Sequence, residues 1–122
     1  MPSPRFFRVE PNGQTLVFSA VGNMGSLVED DVREEWDALL KELENHNAKN
    51  VVIDLGALDY FGSIMLELMV VLWKRLSAKK SKLAICNVST VGREILHIAK
   101  FDTIWPILTT RQEAIQKLTG ES

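Results

Sequence analysis

With 122 residues, 46% of them hydrophobic and 25% charged, the chain has the make-up of one globular domain with enough apolar material for a core. A net charge of −2 leaves no broad basic field for nucleic acid or an anionic membrane, so no nucleic-acid partner is expected. The longest apolar run, Leu68 to Trp73, is too short to cross a bilayer, no apolar leader follows Arg5 and Arg8, and the single Cys86 excludes an internal disulfide. These features point to a cytoplasmic protein without membrane insertion.

The prolines in residues 1–4 predict a disordered lead-in, with one folded domain over residues 5–119. Arg5 to Glu10 and Thr15 to Val21 read as strands joined by the turn-rich Pro11-Asn12-Gly13-Gln14, a hairpin. Gly22-Asn23-Met24-Gly25 reads as a loop. Ser26 and Glu29 have capping-box spacing, and Val28, Val32, Trp36, Leu39, Leu40 and Leu43 then recur at helical spacing. Asn45-His46-Asn47 closes that helix. Val51 to Leu55, short and rich in β-branched residues, predicts a central strand, and Ser63 to Ser77 a second helix.

Leu83 to Val88 predicts another buried strand. Ser89 or Thr90 would cap a third helix running to Ala99, its apolar face formed by Val91, Ile95 and Ile98. Thr103 to Leu108 reads as a last strand, which Pro106 places at an edge. Thr110 and Glu113 predict the capped start of a final helix carrying Ala114, Ile115 and Leu118. The order β-β-α-β-α-β-α-β-α implies an α/β fold: one mixed, mainly parallel sheet covered by about four helices. The loop from Leu55 to Ser63 falls at the carboxyl edge of that sheet, where such folds carry function.

The second helix has more apolar residues than one buried stripe requires. Met65, Met69, Leu72 and Leu76 form the core stripe, while Ile64, Val70 and Val71 lie on or beside the thin polar arc of Glu67, Lys74 and Arg75. They are either covered by neighbouring helices or form a docking surface that begins at Ser63. Unpaired N–H groups at a helix start favour negative charge, so a phosphate on Ser63 would be tolerated while changing the exposed surface. The plainer role for Ser63 is an ordinary first-turn residue.

Other chemistry has less support. His46 and His97 stand apart without acidic neighbours at metal-ligand spacing, and Cys86 reads as a small core residue. Asp54 and Asp59 flank the loop, either as a carboxylate pair for a small enzyme or as turn residues. Lys74, Arg75, Lys79, Lys80 and Lys82 cluster around the end of the second helix, as solvated cations or as a dock for an acidic partner.

The run Val51-Val52-Ile53-Asp54-Leu55, then Leu58-Asp59-Tyr60-Phe61 and Gly62-Ser63-Ile64-Met65-Leu66, resembles the STAS domain of bacterial anti-sigma-factor antagonists. Lys79 to Val88, Val91 to Ala99, Phe101 to Ile107 and Thr110 to Ala114 look like that family's later elements, so the resemblance covers most of the chain. It implies a non-enzymatic regulatory module without cofactor or metal. The module would bind an anti-sigma factor with serine-kinase activity, be released when the motif serine is phosphorylated, and be reset by a phosphatase. By position Ser63 takes the serine's place, and Asp59, Gly62, Ser63, Ile64, Glu67 and Val71 are the candidate partner-binding residues. Against the family's Asp-Ser-Ser-Gly-Leu-Gly pattern, Gly62 replaces the acid, Ile64 the second serine, and Met65 and Glu67 the glycines. The larger Met65 and Glu67 are expected to obstruct close approach of a partner backbone. The alternative is an unphosphorylated STAS accessory or scaffold subunit of a signalling or lipid-transport complex.

Overall fold

Alternation at period two decides the architecture. In a computed structural model describing residues 6–21, 29–46 and 48–120, five strands form one sheet in the order of the chain. They are β1 (Phe7–Asn12), β2 (Thr15–Ala20), β3 (Asn50–Asp54), β4 (Lys82–Cys86) and β5 (Ile107–Leu108). The β1–β2 hairpin is antiparallel and the remaining pairings are parallel. Gly13, with φ at +62°, makes the hairpin turn, so the strands reach further into the proline-containing segment than the sequence suggests.

Each central strand sends alternate side chains to opposite faces. Leu16, Phe18, Val51, Ile53, Leu83 and Ile85 point into the larger core, covered by α1 (Glu29–His46), α2 (Ser63–Ala78) and α3 (Thr90–Ile98). Val17, Val52, Ala84 and Cys86 point the other way, against Ala114 and Leu118 of α4 (Arg111–Thr119). Four helices and a mixed five-stranded sheet match the expected fold class.

Helix α1 buries Val32, Trp36, Leu39, Leu40 and Leu43 as its spacing predicts. Trp36 is the pivot: its ring meets Phe7 and Phe18 edge-on at centroid distances of 4.8 and 5.6 Å, and its Nε1–H donates to the Leu68 carbonyl at 3.0 Å. The indole therefore joins α1, α2 and the hairpin without an unpaired donor. Helix α2 buries Met65, Leu68, Met69, Leu72 and Leu76. At roughly 1.5–3 kcal/mol for each large side chain, that burial fixes the helix firmly on the sheet. Ile64 and Val70 are half-buried against the same core, whereas Val71 is 38% exposed. The surplus apolar residues of α2 thus divide between packing and surface.

Two expectations are corrected. Val91 and Ile98 do not form the inner face of α3: they are 49% and 80% exposed, Ile95 is half-buried, and Gly92 and Leu96 are buried instead. The helix is rolled because Gly92, lacking a side chain, lets its backbone press against Phe61 and Val88. The final strand is also shorter than Thr103 to Leu108. Phe101–Thr103 forms a 3-10 turn, Trp105 donates its N–H to the Phe101 carbonyl at 3.0 Å, and the two rings pack at 4.8 Å, which holds a helical turn where a strand was expected. Only Ile107–Leu108 pairs with β4, at the edge as Pro106 implied. The readings for residues 1–4, the Gly22–Gly25 loop, the Ser26 cap, Val28 and Asn47 lie outside the described residues.

A Cβ on Gly92 would lie 2.7 Å from Val88 Cγ1 and 2.9 Å from Phe61 Cε1. Replacing a helical glycine by alanine ordinarily stabilises by about 1 kcal/mol, whereas overpacking costs about 1–3 kcal/mol. Gly92→Ala is therefore expected to lower stability, read as a lower urea midpoint with an unchanged slope; a raised midpoint would refute the close packing.

Burial, with the neighbouring Asp54 charge, pushes the Cys86 thiol from 9.0 up to about 12. Because the fold favours the protonated thiol, its contribution is complete below about 9 and is lost between about 9 and 12. Iodoacetamide at pH 8 is expected to label Cys86 only as fast as the chain unfolds. Over that alkaline window Cys86→Ala should lose stability less steeply than the parent, by up to about 1.4 kcal/mol per pH unit.

Candidate functional site

Asp54 ends β3 at the carboxyl edge of the sheet and is buried. A carboxylate there requires partners, and it has four contacts. Its Oδ1 accepts the Gly56 N–H at 2.9 Å, and its Oδ2 accepts from Asn87 Nδ2 at 3.1 Å and from Arg111 Nε and Nη2 at 3.1 and 3.0 Å. Arg111 also donates to Glu10 at 3.1 Å and to Ser19 at 2.9 Å. Burial works against the guanidinium charge, but Asp54 and Glu10 outweigh it and raise the Arg111 pKa above its ordinary value. Asp54 is thus a structural hub, and no hydrogen bond joins it to the exposed Asp59 among the described residues.

Arg111 escaped the sequence reading although one signal was present. It is the first residue of α4, where a cation opposes the helix dipole and needs a compensating carboxylate.

The hub anchors the loop from β3 to α2. The Leu58 N–H donates to the Leu55 carbonyl at 3.0 Å, while Leu58 and Phe61 are buried and hold the loop to the core. Ser89, the N-cap of α3, accepts the Gly92 N–H at 3.0 Å and donates to the Asp59 carbonyl at 2.8 Å. This capping residue therefore fixes both α3 and the loop. Between those anchors Asp59 and Tyr60 face solvent.

Ser63 is the first residue of α2 and is exposed. Gly62 is its N-cap, with φ −104° and ψ −165°, no side-chain cap, and no acid in the first turn. That backbone is open to any residue, and a Cβ on Gly62 would meet only Tyr60 Oη at 3.6 Å. Nothing in the fold demands glycine there. The first-turn N–H groups are left without a side-chain acceptor, an arrangement that favours an added anion.

The structure brings several sequence-nominated residues onto one surface. Ser63, Glu67 and Val71, at i, i+4 and i+8, form an exposed ridge along α2, with Ile64 half-buried beside it and Asp59 and Gly62 in the preceding loop. Glu67 accepts from Arg33 of α1 at 2.5 Å, and this hydrogen bond holds its pKa below the ordinary value. Met65 is corrected: it is 2% exposed and points into the core, so it does not obstruct a partner.

His97 does have an acidic neighbour, Asp102, with Nδ1 to Oδ2 at 2.7 Å, and His46 lies 3.6 Å from Glu42. Among the described residues no group of three or more His, Cys, Asp or Glu is placed to hold a metal. No helix among them is long and apolar enough to cross a membrane.

Comparison with known proteins agrees with this architecture. BtrV of Bordetella bronchiseptica, a candidate anti-sigma factor antagonist, is 31% identical over 81 residues, covering 66% of this chain and 70% of BtrV. The structure of an anti-sigma-factor antagonist (STAS) domain protein from Planctomyces limnophilus is similar with TM-score 0.79 and 30% identity, over 93% of this chain and 97% of that one. SpoIIAA of Bacillus in its unphosphorylated form gives TM-score 0.80 over 95% of this chain and 98% of its own, at 17% identity, a likeness of fold. The family model described as STAS domain matches residues 7–114, and the chain belongs to the STAS domain family, in its anti-sigma-factor-antagonist branch.

Proposed function

We propose that this chain is a partner-switching regulator of the cytoplasm that binds a serine-kinase-type anti-sigma factor through the α2 ridge and is released by phosphorylation of Ser63, a phosphatase restoring the binding form. One observation carries the reading: Ser63 is exposed at the uncapped start of a helix whose other end of travel is fixed by core packing. A phosphate brings roughly −1.5 to −2 charges, and there it meets free N–H groups instead of a competing carboxylate. The fold is then little disturbed while the partner surface gains negative charge. The fold neighbour SpoIIAA, solved in unphosphorylated and phosphorylated forms, lends the reading further support.

The chain acts by binding, not by catalysis. Asp54 has both oxygens engaged, and the Cys86 thiol is buried and held protonated. Neither offers a free base or nucleophile.

One observation favours the second reading, a constitutive STAS scaffold. Gly62 occupies a backbone that would accept aspartate, so the chain omits a carboxylate that its fold permits. Without it the kinase loses one anchor for orienting the hydroxyl.

Ser63→Asp is expected to weaken binding to the kinase-type anti-sigma factor at least tenfold, about 1.4 kcal/mol, and Ser63→Ala to retain it. Both should stay within about 0.5 kcal/mol of the parent in urea unfolding, since the side chain is exposed. Equal binding by the two variants, with no phosphate on Ser63 in intact-mass analysis of protein from its native cells, would leave the scaffold reading.

A second pair of variants maps the ridge. Val71→Lys should weaken the same complex about tenfold at little cost in stability, whereas Ile64→Lys should lower stability as well, because it packs against the core. Unchanged affinity for Val71→Lys in titration calorimetry would place the interface elsewhere.

A further inference from the structure

The opposite edge of the sheet carries a feature that partner switching at Ser63 does not use. Where β3 and β4 begin, a groove of about 450 Å³ is lined by Lys49, Lys79, Lys80 and Lys82, with Asn50 and Ser81 between them and no carboxylate among its lining residues. The four lysines are exposed and make no ion pair among the described residues, although the chain as a whole is acidic. Like charges brought together without counter-charges raise the local potential and attract an anion.

Cations at helix ends complement the helix dipole, which accounts for Lys79 at the C-cap of α2. It does not account for Lys82, the first residue of β4, nor for Asn50 at the start of β3. Asn50 is only 8% exposed, faces the groove, and its side-chain amide makes no hydrogen bond among the described residues. Its neighbour in register, Thr15, has a buried hydroxyl that also lacks a partner. Buried polar groups are ordinarily satisfied, so the orphaned Thr15 hydroxyl marks spare polar capacity behind the groove, and the Asn50 amide, which lines it, is free to bond a ligand.

From these observations we infer a second binding site, for a small anion carrying several phosphate-type charges, at the amino edge of the sheet. The lysines supply charge, and the Asn50 amide and Ser81 hydroxyl supply directed hydrogen bonds at the floor. The volume suits a compact small molecule. The inference is independent of phosphorylation at Ser63, which lies at the other end of α2.

Inorganic tripolyphosphate, titrated at constant ionic strength, is the probe. Saturable binding is expected, with amide chemical-shift changes confined to residues 14, 49–50 and 79–82, and a melting temperature that rises with probe concentration. The double variant Lys49→Gln/Lys82→Gln, both surface positions, should weaken the affinity at least tenfold while leaving the unliganded melting temperature unchanged. Asn50→Asp tests the floor by placing a repelling charge there; Asn50→Ser, smaller and neutral, guards against misfolding and should bind less tightly than the parent. Shifts that do not saturate, that disappear when sulfate matches the ionic strength, or that survive the lysine substitutions would overturn the site. Tighter binding of a polyglutamate peptide than of tripolyphosphate would overturn it too, in favour of an acidic protein segment.

Discussion

The contact between Asp54 and Arg111 is the constraint on which the functional edge depends. One carboxylate at the end of β3 holds the first peptide of the loop through Gly56, the β4–α3 turn through Asn87, and α4 through Arg111. Arg111 extends the reach to Ser19 on β2 and Glu10 on β1. Three strands, the β4–α3 turn, α4 and the loop before α2 thus share a single charge network. Burying charge costs several kcal/mol unless the geometry is fully satisfied, so such a network tolerates little displacement of any member. The loop that presents Ser63 consequently leaves the sheet in a defined direction.

Apolar packing completes what the charges begin. Leu55, Leu58 and Phe61 bury at intervals along the loop, and Phe61 touches the bare backbone of Gly92. Ser89 ties the Asp59 carbonyl to the cap of α3. A serine at the start of α2 is therefore held by three neighbours, the hub below, the core beneath and α3 beside it, while its hydroxyl and the first-turn N–H groups remain open to solvent. That combination of fixed backbone and free side chain suits recognition by a second protein, because little ordering is needed on binding.

Much of this was legible in the sequence because it rests on periodicity and local chemistry. The β-branched run at Val51 to Ile53, the Trp36 stripe and the Thr110 cap each specify an element from its own residues. The exposed Ser63, Glu67 and Val71 follow from counting along one helix. What escaped depends on tertiary contact. The roll of α3 is set by a glycine meeting Phe61, a residue 31 positions away, and so Val91 and Ile98 look buried by spacing but are not. The turn at Phe101 comes from ring packing with Trp105. Arg111 pairs with an acid 57 residues distant, a separation that no local pattern encodes.

Both edges of the sheet present positions that favour an anion, and α2 runs between them. Its 16 residues span about 24 Å, from the anion-accepting start at Ser63 to the lysines beyond its end. Screening at physiological salt falls off over about 8 Å, so charge added at one end is scarcely felt at the other. Mechanical coupling would need a second arrangement of α2, and the burial of Met65, Leu68, Met69, Leu72 and Leu76 along it opposes one. Under the two proposals above, the amino-edge groove and the Ser63 ridge would therefore act as separate inputs. An anion in the groove would stabilise the native state as a whole without shifting the affinity of the ridge, and any influence on the switch would have to come from a partner large enough to touch both edges at once.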